Sequence, residues 1–231
     1  MIGSNADELR YWIIEIGNFF FLNIIFKIYA ENLIVYRIKK NGAELFNKFK
    51  KIVKENTHEN FISDLMFRMP AYKLAQLHSK NNGNVYLYFW KYPSSIPHYG
   101  ACHSVELAYI FNNLKIRTLI GDKNINYKLS EISQNMWANF AKNGNPSTKD
   151  YIWEKYDLKN KYCMEFGNEP KLKEYSFSDE RNQIIEPLLH EYIPTDYENL
   201  SLNIPFIRRI LIILATIIIV IISIFVNKYL K

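Results

Sequence analysis

The 231-residue chain is 48% hydrophobic and 16% aromatic, which is ample for a packed core, so disorder is not the default. Its formal charge of +6 comes from 29 Lys and Arg residues scattered among 23 Asp and Glu, with no basic cluster interleaved with aromatics. A solvated basic surface is therefore favoured over a nucleic-acid partner. Cys102 and Cys163 form no CxxC pair, so the expectation is two free, buried thiols rather than a zinc site or a disulfide framework.

In chain order, the opening MIGSNADELRYW lacks the basic region, apolar stretch and small-residue cleavage site of a signal peptide. Residues 11–26 are apolar but interrupted by Glu15, Gly17, Asn18 and Asn23, which predicts a helix packed on the protein rather than a membrane span. Apolar residues at helical spacing predict a helix over 44–55. Ser63 and Asp64 read as the N-terminal cap of a helix through about 78, followed by a turn at 80–84. VYLYFW at 85–90 predicts a buried strand, and Pro93, Pro97 and Gly100 a loop. Helices are expected over 104–111, 129–142 and 179–192, a breaker at 144–148 and a strand at 162–166.

Near the C-terminus, ILIILATIIIVIISIFV at 210–226 runs without a charge and covers about 25 Å as a helix. Ile204, Phe206 and Ile207 lengthen it, and Arg208, Arg209, Lys228 and Lys231 can reach lipid headgroups along their stems. A transmembrane helix over 205–227, acting as a single-pass C-terminal anchor, is expected. Basic residues tie across its two flanks, so the positive-inside count selects no orientation.

Strands alternating with helices predict an α/β fold with a mostly parallel sheet. Two strands are too few for such a sheet, so the partner strands are expected to lie outside this chain or to have been lost.

Several segments, in one order, carry a family resemblance. GSNADE at 3–8 matches a G-x-N-x-D-E turn after a strand, and SDLMFRMPAYKLA at 63–75 an S-D-x-x-F-x-x-P helix. NVYLYFW at 84–90 precedes GACHSVELAYIF at 100–111, a histidine loop leading into a helix with a glutamate three residues on. WANFAKNGNPST at 137–148, with Trp153 beyond it, completes the set. Together they resemble the C-terminal portion of the carboxylesterase type-B family of α/β-hydrolases, over roughly residues 3–166.

The resemblance implies the C-terminal part of an α/β-hydrolase domain over 1–200, with an incomplete sheet. It makes His103 the histidine of a Ser-His-Glu triad, Glu8 its acid and Glu106 a companion acid. In such a triad the histidine relays the nucleophile's proton, and a buried carboxylate fixes its tautomer. Leu9 stands where the family usually has glycine, and a C-terminal membrane helix is not a general family feature, although some members are attached to membranes by their C-termini. His58, His78, His98 and His190 have no such context and read as surface or structural residues.

The family's nucleophile sits in a G-x-S-x-G elbow. The eight glycines here, at 3, 17, 42, 83, 100, 121, 144 and 167, never lie four apart, so the chain has no such elbow. The glycine-rich oxyanion loop is missing too. Ser104 and Cys102 adjoin His103 and are poorly placed to replace the serine. A small-molecule carboxylic ester is the implied substrate, with no metal or organic cofactor. The favoured reading is an esterase portion, inactive alone, whose missing N-terminal half lies upstream or in a separate chain. The alternative is a membrane-tethered, non-catalytic binding protein of the same fold.

Overall fold

The aromatic run that reads as a strand forms the second member, β2 (Leu87–Trp90), of a four-stranded sheet. This computed structural model describes residues 1–11, 42–174 and 179–192. The strand order is β1 (Ile2–Asn5), β2, β3 (Tyr162–Phe166), β4 (Pro170–Glu174). β1, β2 and β3 run parallel, with Asn5 opposite Trp90 and Trp90 opposite Phe166; β4 returns antiparallel to β3. The sheet thus has two members more than the sequence reading supplies. β1 is four residues long, and β4 is a polar edge strand whose Lys residues suit a solvent-facing rim.

Seven α-helices accompany the sheet among the described residues. They are α1 (Gly42–Ile52), α2 (Thr57–Ser63), α3 (Met69–Lys80), α4 (Val105–Ile110), α5 (Arg117–Ile120), α6 (Tyr127–Asn143) and α7 (Asp179–Tyr192). α2 and α3 are joined by a single π turn, Asp64–Arg68. This corrects the expected cap at Ser63 and Asp64. Both residues have helical backbone angles and Asp64 is fully buried, so its carboxylate serves ion pairs instead of a helix terminus. The chain enters α2 through Asn56 in the left-handed region, and α6 leaves through Gly144 at φ 69°, where a glycine is favoured.

Alternation along β2 divides the core. Tyr88 and Trp90 face α4 and α6: Trp90 stacks on Phe166 at 5.2 Å, and Tyr88 meets Trp137 edge-on at 5.3 Å. Phe89 faces the other way, under the guanidinium of Arg68 at 4.6 Å. α3 and the π turn both contact β1. Lys73 of α3 pairs with Glu186 of α7 at 2.6 Å. Sheet and helices belong to one compact unit, Met1–Glu191.

Among the described residues, no helix is long and apolar enough to cross a membrane. The expected membrane helix over 205–227 and most of the apolar stretch at 11–26 lie outside the described residues.

Candidate active site

Two loops leave the same end of the parallel strands, where α/β folds gather their functional groups. The turn after β1 carries Ala6, Asp7 and Glu8, and the loop after β2 carries Ala101, Cys102 and His103. They are zipped together by backbone and side-chain bonds. The Asp7 amide donates to Ala101 O at 2.9 Å, and the Ala101 amide returns to Asp7 Oδ2 at 2.9 Å. The His103 amide donates to Glu8 O at 3.3 Å.

Within this frame Nδ1 of His103 lies 2.7 Å from Oε2 of Glu8. The other carboxylate oxygen, Oε1, accepts the Asn5 amide at 2.6 Å. The Glu8 side chain is 5% exposed and the His103 side chain 39%. The carboxylate is thus the buried partner, and the imidazole reaches the surface. A carboxylate facing Nδ1 fixes the proton there and leaves Nε2 as the acceptor for an incoming proton. The Glu8 hydrogen bond raises the His103 pKa above its ordinary value, and partial burial opposes that rise.

Leu9, at the position where glycine is the family habit, is buried in the core without turning Glu8 away from His103. Ser104 adopts φ 65° and swings the chain into α4. Glu106 then faces Asn5, whose Nδ2 donates to Glu106 Oε2 at 2.5 Å and to Cys102 O at 2.8 Å. Burial pushes the Glu106 carboxyl up, and the Asn5 hydrogen bond opposes it. Asn5 therefore bridges Glu8 and Glu106, and His103 joins the group through Glu8.

Sequence reasoning missed Asn5, Phe67 and Arg68. The Phe67 ring lies 5.2 Å from the His103 ring, and Arg68 Nη2 donates to Ala6 O at 3.0 Å. The signal was within the quoted segments, in the N of GSNADE and the FR of SDLMFR. His78 and His98 are exposed and His58 packs on Phe46; the side chain of His190 lies outside the described residues. Among the described residues no cluster of His, Cys, Asp and Glu could hold a metal ion.

Known proteins give this arrangement its context. The model of the carboxylesterase family matches residues 26–184. Rat liver carboxylesterase 1F is 30% identical over 111 residues, covering 45% of this chain and 19% of its own length. The para-nitrobenzyl esterase of Bacillus subtilis is 28% identical over 129 residues, covering 54% of this chain and 26% of its own. The chain thus spans about a quarter or less of the length of these relatives. Among solved structures, a thermophilic PNB esterase superposes with a TM-score of 0.57 at 25% identity, over 79% of this chain and 37% of that one. A Geobacillus stearothermophilus carboxylesterase shares the fold, with a TM-score of 0.60 at 18% identity over 78% of this chain and 38% of its own. With the family match spanning more than half of its residues and the fold shared, this chain belongs to the carboxylesterase family.

Proposed function

We propose that Glu8 and His103 are the acid and the base of an ester-cleaving triad whose serine and oxyanion donors come from sequence outside these 231 residues. The observation that carries this reading is the 2.7 Å contact between Glu8 Oε2 and His103 Nδ1, with the imidazole on the exposed side. In the reaction His103 Nε2 takes the serine proton as the hydroxyl attacks the ester carbonyl, then delivers it to the leaving alkoxide. Glu8 holds the tautomer and steadies the imidazolium in both halves of the cycle. Small carboxylic esters are the substrate class.

By itself the chain is inactive. Loss of a triad serine costs on the order of a million-fold in turnover, and loss of oxyanion donors roughly a further hundred- to thousand-fold. The test is labelling with a fluorophosphonate probe after co-expression with the polypeptide encoded upstream that carries G-x-S-x-G. Labelling of the serine is expected only when both parts are present, and H103Q abolishes it. Absence of a G-x-S-x-G coding region upstream, or labelling that survives H103Q, would sink the proposal.

The same reading tethers the protein to a membrane through residues 205–227. It predicts that alkaline carbonate leaves the chain in the membrane fraction. Release into the supernatant argues against the anchor.

A further inference from the structure

We propose that the π turn Asp64–Arg68 is the positioning element of the Glu8–His103 pair, with Arg68 as its principal positioning residue. This rests on the role assigned to that pair above. The Arg68 guanidinium uses its planar fork in two directions: Nη1 pairs with Asp64 Oδ1 at 2.8 Å, and Nη2 donates to the Ala6 carbonyl at 3.0 Å. The Ala6 amide donates to Trp90 O at 2.9 Å. Residue 6 is thereby held at both its amide and its carbonyl, two residues before Glu8. The neighbouring Phe67 packs its ring against His103. One turn of helix therefore touches His103 directly, through Phe67, and the strand-to-turn backbone that carries Glu8, through Arg68.

Burial makes a purely stabilising role a poor account of this ion pair. The Arg68 side chain is 6% exposed and that of Asp64 is 0%. Asp64 also pairs with Arg181 of α7, whose guanidinium lies 5.2 Å from the Phe49 ring centroid. Desolvating such charges offsets most of their attraction, and apolar residues of the same size would serve stability as well. What apolar residues cannot do is hold the Ala6 carbonyl at a set position and direction. The π turn itself is an irregularity of a kind found frequently at functional sites.

The test is an NMR titration of the histidine ring resonances in the full chain in detergent micelles, with H103Q identifying the His103 signal. The acidic groups facing that imidazole are Glu8 and Glu106, and the arginine variants alter neither. E8Q is expected to lower the His103 midpoint. R68M, and R68K, which keeps a positive charge beside Asp64 but lacks the second arm, are expected to lower it part of the way toward E8Q. R181M removes the other arginine from Asp64 and leaves the Ala6 contact, so it should lower Tm and leave the midpoint in place. If R68M fails to fold, R68K is read instead. An unchanged midpoint in R68K, or an equal shift in R181M, overturns the positioning role. An unchanged midpoint in E8Q overturns the reading of the pair itself, so the two failures are distinguishable.

Discussion

His103 meets Glu8 twice, through its amide on the Glu8 carbonyl at 3.3 Å and through Nδ1 on Oε2 at 2.7 Å. The backbone contact fixes the spacing of the two loops, and the side-chain contact then titrates within a frame that does not. The hydrogen bond raises the folded-state pKa of His103 above its ordinary 6.5. Below that unfolded value the imidazole is charged in both states, and the pairing contributes fully to stability. As the pH rises through the folded value the imidazole loses its proton and that contribution disappears. The Tm difference between the wild type and H103Q is therefore expected to be largest on the acid side and to shrink with rising pH. A difference that grows with pH would contradict the assignment.

Gly3 stands against the ring of Tyr88, its register partner on β2, so closely that an added Cβ would lie 2.3 Å from the ring carbons. Tyr88 has little room to yield, being packed edge-on against Trp137 and Phe166. G3A is expected to destabilise by about 1–3 kcal/mol through overpacking. Urea unfolding measures it, and a midpoint equal to that of the wild type would show that β1 can move away from β2.

Phe166 ends β3 at 0% exposure, stacked on Trp90 and edge-on to Trp137 and Trp153. Three indoles around one benzene ring cannot collapse far into the space that a truncation leaves. F166A is expected to cost roughly 3–5 kcal/mol, and F166L clearly less. Equal losses for the two would mean that the ring's shape, rather than its volume, holds this centre.

Cys102 and Cys163 are free and buried, and burial pushes the Cys102 thiol up to about 12 and the Cys163 thiol up as well. Thiols in this state carry almost no thiolate at neutral pH. Both are expected to react with an aromatic disulfide reagent only as fast as the protein opens, and promptly in denaturant. Rapid labelling of the native chain at Cys102 would reopen its candidacy as a nucleophile.

The parts of the fold that read directly from sequence are those whose burial writes a pattern. β2 is visible in LYFW because it is covered on both faces, and α6 because its apolar residues recur at helical spacing above the Gly144 stop. β4 writes no pattern, since PKLKE lies at an edge and buries only Pro170. The π turn hides for a different reason: Asp64 and Arg68 are charged residues at buried positions, where sequence periodicity expects apolar ones. Glu8, His103 and Glu106 were legible through family motifs alone. The contact of His103 with Glu8, and the bridge of Asn5 between Glu8 and Glu106, depend on the parallel register of β1 with β2, which no local signal encodes.

That register also sets the order of events in folding. Ile2 pairs with Leu87, and Leu87 in turn with Cys163, so each step in the sheet closes a loop of dozens of residues before any neighbour rewards it. Contacts of this range slow folding far more than helix formation does. The Glu8 turn is completed with the β1–β2 pairing, because the amides of Ala6 and Asp7 donate to Trp90 O, which ends β2, and to Ala101 O, which follows it. The pair that reads as catalytic is therefore assembled in the slow, long-range step, and neither loop excised as a peptide would hold its half of the geometry.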